Sequence, residues 1–578
     1  MRPTNEKTNG GMALLLAVFF IGVAVVVTGA LMGRIYQQRT AVTHFEDYNA
    51  ALFGLDAAIS RSEAKLEAGE DGSIGMEDWE PVWNERNELV LPDFDSDAIS
   101  PQRLPSMESV EYAAYAHAWE DDGRDNNGNG LADDASEEGM YTVYAMARSG
   151  AAVRRAEAVY KTDNVNAWQN AIFAGPGLSG GLINGSVNAA GSVHMLGDGL
   201  LDGAIGLATL GLGGTTRVRN NYTGIPDALL RHIPDPPQTL FEGEIVSTLR
   251  ATFRSRNGLI NLTADSALGD AQAFGNAVKE TLDAVFVTGG WIGGGVLPDG
   301  DRGEPQNVHS DNGWDELYDL ADRVVFPRLS DPFQDAQGRQ VARGDTGDPY
   351  KHEEYFAEVL VGDPEIPNDG IYTGNITFDT AGAHFYWNAT TGEQMSGSLP
   401  AVSPPKTDDY VLFNRDRDVL EINGQIYVTG NVNFRGKGSQ KSLYYTGRGA
   451  ILAGGSVQID SHLLACNGGD PSDLEGSFPV ENAIGIMARE NIVIGGSLLD
   501  LIFRSDIHLM GAFYAGRRVT SLKTAKVAGT IVSNYFDLTL NPPTVYQVPE
   551  LGRNLPEGMV GDYPIIAATQ ISWRELGL

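Results

Sequence analysis

The sequence predicts an α+β chain, mostly β: one long N-terminal α-helix, membrane-spanning and then amphipathic, followed by a large glycine-rich domain of β-solenoid-like build. Three observations predict it. Met12 to Met32 carries no charged residue, and at about 1.5 Å per residue that length crosses a bilayer core of about 30 Å. Apolar residues then keep helical spacing as far as Leu66. Beyond that point brief Val/Ile/Leu runs alternate with Gly and Asn, and glycine reaches 70 of 578 residues, a composition of turn-dense β structure.

Residues 1–11 precede the apolar segment and include Arg2 and Lys7. The helix is expected over 12–66. Ile35, Val42, Phe45, Leu52, Leu55, Ile59 and Leu66 fall on one face, with Glu46, Asp47, Asp56 and Glu63 largely off it. Gly54 is its weak point, because glycine costs about 1 kcal/mol against alanine inside a helix. The Gly69–Ser73 cluster GEDGS ends the element. Residues 67–165 read as a mixed α/β region in which Met140–Ser149 and Ala151–Lys161 alternate like paired strands. Residues 166–235 are a glycine-rich β region. Residues 236–367 read as a mixed helical insertion, because ALGDAQAFGNAVKETLDAVF (267–286) and NGWDELYDLADRVVF (312–326) carry helical spacing.

From 368 to 541 the short-strand pattern returns. Tyr427–Gly430, Ile451–Gly454, Ile492–Gly495 and Phe513–Gly516 occupy similar places in units whose period is near 20 residues, with a polar insertion, CNGGDPSDLEGS, between the second and third. That period suggests stacked coils, each covering the apolar face of the next; an ordinary β-sandwich is the alternative. Residues 542–578 form a C-terminal segment.

The formal net charge is −35. Such a chain repels nucleic acid and attracts cations, so no nucleic-acid partner is expected. Cys466 is the only cysteine, which excludes an intramolecular disulfide and a cysteine-based zinc site.

Residues 1–11 with their paired glycines, the uncharged segment and its amphipathic continuation resemble the prepilins of the type IV pilus and type II secretion superfamily. Within it, GGMALLLAVFFIGVAVVVTGAL…QQR…YNAALFGLDAAISRSEAKL is most similar to the PilX-like minor pilin N-terminal family. The resemblance covers about 60 residues. It implies that residues 1–11 are a prepilin leader cut by a prepilin peptidase between Gly11 and Met12, with the bond after Gly10 as the near alternative, and that the new N-terminus is methylated. Leu16 (Leu15 under the other cleavage) stands where major pilins carry a glutamate. This implies a minor or tip subunit, since a carboxylate in lipid needs a partner. The implied function is structural, not enzymatic: a subunit that waits in the inner membrane, joins other pilin subunits through its helix, and projects a large domain at the cell surface for assembly priming or adhesion to a surface or host ligand. The alternatives are a tip subunit of a secretion pseudopilus, a membrane-tethered adhesin, and a polysaccharide-acting β-solenoid enzyme.

One stretch has metal-ligand spacing. Asp125, Asn127, Asn129 and Asp133 place hard oxygen donors at alternate positions, with Gly130 sixth and the carbonyl of Leu131 next, as in an EF-hand-type calcium loop. Its twelfth place is Ser136, so Glu137 or Asp134 would complete the set, and Ca2+ is the expected ion. The other motifs lack their context. Gly177-Leu-Ser179-Gly-Gly181 has the G-x-S-x-G pattern without a following helix. Gly436-Lys437-Gly438 lacks the Ser/Thr of a phosphate loop, and His352-Glu-Glu lacks the second histidine of a zinc protease. Asp299/Asp301 and Asp345/Asp348 are short acidic turns.

Overall fold

The computed structural model describes the chain except for residues 1–9, 85–88, 121, 127–131, 133–136, 178–182, 186, 198–207, 213–216, 263–265, 274, 294–306, 336–337, 345, 361–369, 437–441, 497–505, 539–540 and 577–578. It divides into two compact units. One is Met1–Asn126 with Glu137–Asp163 and Ala568–Leu578, and the other is Asn127–Ser136 with Asn164–Ala567.

In the first unit, helix α1 spans Gly10–Glu67. It stops at Gly69, whose φ of +74° is open to glycine at little cost. The Glu70 amide there bonds the Lys65 carbonyl and the Gly69 amide the Leu66 carbonyl, the paired bonds of a Schellman ending. The unit's sheet has the order β1 (Gln102–Leu104), β2 (Met107–Ala118), β3 (Met140–Ser149), β4 (Ala152–Asn164) and then the C-terminal strand Ile566–Leu576. The pairs β1/β2, β2/β3 and β3/β4 are antiparallel.

Only the last part of α1 buries a stripe: Ala51, Leu55, Ala58, Ile59, Ser62 and Leu66. Leu55, Ala58, Ile59 and Leu66 pack on Tyr112, Ala114, Val143, Ala145, Ala147, Ala156, Ala158 and Tyr160 of the sheet. Alternate strand residues face opposite ways, so Ala113 and Met146 pack on the far side with Met76, Phe94 and Ile99. The alanine content of the helix-facing side sets a short helix-to-sheet distance. Gly54 is where this matters most. A Cβ there would lie 2.6 Å from Val110 Cγ1 and 2.9 Å from the Ala147 Cβ, so the residue read as the helix's weak point is its place of closest approach to the sheet.

The second unit is a stack of mostly parallel strands whose residues line up in three ladders, the first and third within one 19-stranded sheet and the second within a 10-stranded sheet; Phe385–Asn388, Gln394–Ser396 and Tyr410–Asn414 are added antiparallel at one end. Down the first, Ile426, Ile451, Ile486, Phe513, Ile531, Ile172, Val193, Phe253 and Val285 each pair with the next. Down the second run Ile376, Val432, Val457, Ile492, Val519 and Phe536, and the strand of Phe536 then pairs with Ile183–Gly185. Down the third, Leu443, Leu463, Leu509, Val527, Val545, Ala189, Val218 and Leu268 follow one another. The residues of the first and third ladders, and those of the second as far as Phe536, are buried. One coil has no second layer of its own; its neighbours supply it.

The order of coils is not the order of sequence. The chain enters the stack at Ile172, in the middle, and builds in one direction to Val285. It restarts at the far end with Ile371–Tyr372, which pairs with Tyr427–Val428, and builds back until Ile531 meets Ile172. The regions 166–235 and 368–541 are therefore parts of one stack of parallel coils, not of a sandwich.

Two expectations are corrected. The helical spacing of 267–286 and 312–326 does not give helices among the described residues. Strand pairing of Thr252–Ser255 with Ala284–Val287 takes the first segment into the stack, and Gly269, at φ +71°, leaves no room for a Cβ beside the His309 carbonyl oxygen. The second segment lies along the outer side of the first ladder. There Phe326 stacks near Phe173 and Tyr514, and the Tyr318 hydroxyl sits 2.6 Å from His194 Nε2. Its apolar residues cover strands and so recur without forming a helix. The unit of Ile492–Gly495 also does not align with that of Ile451–Gly454: Ile451 pairs with Ile486, whereas Ile492 belongs to the second ladder.

Candidate assembly surface on the N-terminal helix

Residues Leu14 to Glu46 of α1 are exposed on every side. The adjacent positions Phe19, Phe20 and Ile21 are all 63–65% exposed, and Val26, Ile35 and Phe45 are 71%, 62% and 66% exposed. A helix that is apolar all round is stable only in apolar surroundings on all sides. Each such side chain contributes about 1.5–3 kcal/mol once covered. Over its apolar window the mean hydropathy is 2.8. The first charge is Arg34, and from there the apolar positions thin to the stripe that continues into the buried face of the first unit.

Three glycines interrupt this segment at a cost of about 1 kcal/mol each against alanine. A Cβ at Gly22, Gly29 or Gly33 would meet nothing within 4 Å. Among the described residues nothing calls for a missing side chain there, in contrast to Gly54. Gly29 and Gly33 are four residues apart and share a face, the spacing with which apolar helices approach one another closely.

Gly10, Gly11 and Met12 open the helix; their side-chain surroundings lie outside the described residues. Leu16 is half exposed on the same apolar surface. Of the calcium-type loop, Asn127, Asn129, Leu131 and Asp133 lie outside the described residues, as do Asp134 and Ser136. Asp125 and Glu137 are described. Glu137 is fully buried, and its Oε1 accepts the Asn126 amide at 2.6 Å. Among the described residues no three His, Cys, Asp or Glu side chains converge as a metal site. Ser179 and Lys437 lie outside the described residues. His352 is buried, its Nε2 bonded to the Gly558 carbonyl oxygen at 2.9 Å, and burial holds its pKa down to about 4.

One arrangement has no sequence signal. Arg154 of β4 is 6% exposed. Its guanidinium lies 4.0 Å from the centre of the Tyr48 ring on α1, and its Nε donates to Glu575 Oε1 at 2.8 Å while a terminal nitrogen donates to the other carboxylate oxygen. The Tyr160 hydroxyl bonds Gln570 at 3.1 Å, and Arg574 pairs with Glu157 at 2.9 Å. The last strand is thereby tied to β4, and through Arg154 to the helix.

No protein-family model and no curated protein matches this chain. Among solved structures, the crystal structure of the competence-associated pilin ComZ from Thermus thermophilus aligns over 100% of this chain and 99% of that chain, with a TM-score of 0.44 and 15% identity.

Proposed function

We propose that this chain is a minor, pilin-like subunit of a type IV pilus-type filament, held in the inner membrane by α1 before assembly and packed against the helices of other subunits afterwards. The observation that carries this reading is the division of α1. One continuous helix is bare and apolar on all sides through Met32, stays exposed as far as Glu46, and from Ala51 is covered on one face by its own sheet. A simple anchor needs the first part only. A helix that leaves one apolar environment for another needs the same surface matched by lipid and then by protein. Leu16, in place of a carboxylate, supports a minor or tip position, where the coil stack would be projected for assembly priming or adhesion. Prepilin peptidase and other pilins are the partners this reading requires.

The test is processing in the native host. The wild-type chain is expected to lose residues 1–11, and replacing Gly10 and Gly11 with arginine is expected to leave the full mass. An unprocessed wild-type chain that stays in the membrane fraction would support a tethered adhesin instead. We also propose, from the spacing alone, that Asp125, Asn127, Asn129, Leu131, Asp133 and Glu137 bind Ca2+. Calcium should raise the unfolding temperature of the parent protein and not that of an Asp125→Ala/Asp133→Ala variant; no calcium effect on the parent removes the site.

A further inference from the structure

A cavity of about 260 Å³ lies within the coil-stack unit. Its wall comes from two separate segments, Pro327–Asp335 with His352 and Tyr355 on one side, and Glu557–Tyr563 on the other. The His352-to-Gly558 hydrogen bond ties the two together. Phe333 stacks on Tyr355 with ring centres 3.8 Å apart and sits 5.3 Å from the His352 ring, so one side of the cavity is aromatic.

The charged groups on this wall are unequal. Asp331, Asp335, Glu557 and Asp562 face one arginine, Arg328. Asp335 is held by Arg339 at 2.8 Å, and Glu557 accepts from Gln425 Nε2 at 3.1 Å. Asp331 accepts a backbone bond from the Arg328 amide at 2.9 Å. Neither Asp331 nor Asp562 forms an ion pair among the described residues. Burial with no compensating cation pushes the Asp562 carboxyl up to about 6. A cavity whose wall carries both a partly buried carboxylate and aromatic rings, in a chain of net charge −35, favours a positive ligand twice over: by direct pairing, which offsets the desolvation cost, and by attraction to the ring faces. An anion would meet the opposite field.

We propose that this cavity binds a guanidinium or alkylammonium head, held between Asp562 and Asp331 and resting on the Phe333/Tyr355 aromatic wall. The head belongs to a small free amine or to a basic side chain of a peptide. The proposal does not depend on the filament reading.

The test is calorimetric titration of the full chain in detergent with agmatine and with the blocked tripeptide acetyl-Gly-Arg-Gly-amide, using 1-pentanol and methyl β-glucoside as neutral controls. Saturable binding of a cation and not of the neutral probes is expected. Binding of agmatine marks a free amine as source, and binding of the tripeptide alone marks a peptide. Asp562→Asn should weaken binding at least about tenfold, as expected when a charge-assisted hydrogen bond is lost. If that variant does not melt like the parent, Asp331→Asn gives the same reading. The proposal is overturned if neither cation binds, if both aspartate variants bind as the parent does, or if the glucoside binds in place of the cations.

Discussion

Glycine shows how one residue type carries opposite meanings along a single helix. Gly54 faces Val110 and Ala147 at distances that exclude even a methyl group. Gly54→Leu should therefore destabilise the first unit by about 1–3 kcal/mol, the usual cost of overpacking, read as a lower midpoint in denaturant. A Cβ at Gly29 would meet nothing within 4 Å among the described residues. Gly29→Leu should leave that midpoint unchanged while reducing recovery of the chain in sheared filaments; normal recovery would show that the helix does not pack closely there. The Arg154–Glu575 pair is the third residue-scale device. Glu575→Gln leaves the buried guanidinium over Tyr48 without its carboxylate and should cost about 1–3 kcal/mol, detectable as earlier proteolytic release of the C-terminal strand. The helix itself was legible because its signal is local. The role of Gly54 was not, since it depends on Val110 and Ala147, which are distant in sequence.

At the scale of elements, the coils are held by ladders in which each side chain covers the next. Phe513 sits between Ile486 and Ile531 and is 2% exposed. Phe513→Ala should cost about 3–5 kcal/mol, with increased protease sensitivity spreading to neighbouring coils; a loss below about 1 kcal/mol would mean that the coils are not cooperatively stacked. The period of brief strands and glycines was readable from the sequence, and it separated stacked coils from a sandwich poorly because both use short strands. The pairing of Ile531 with Ile172 was not readable at all. It joins positions more than 350 residues apart, and no turn, cap or spacing announces it. The segment 312–326 misled for a related reason: a strap whose apolar residues cover a sheet can mimic helical periodicity. The C-terminal strand, left without a role by its sequence, completes the first unit's sheet through partners on β4.

The whole molecule responds to pH through groups buried in the coil stack. Burial holds His232, His352 and His462 down to about 4, below an ordinary value near 6.5. Between those values the unfolded chain binds more protons than the folded one, so stability falls as pH falls through about 6.5 to 4. Asp409 and Asp562 are pushed up to about 6 by burial and act oppositely, adding stability as pH falls from about 6 to 4. His194, also held well down by burial, joins the first group, so the histidines outnumber the carboxyls. The unfolding temperature should drop from pH 7 to pH 4.5, and His352→Gln should lessen the drop; a rise on acidification would mean that the carboxyls dominate. The filament reading rests on α1, whose residues Leu14 to Met32 are apolar and exposed on every side. A photo-crosslinking residue at Phe20, activated in filaments sheared from the native host, checks it. Adducts between this chain and the helix of another pilin subunit are expected. A chain absent from the filament fraction, with adducts to lipid alone, would contradict it.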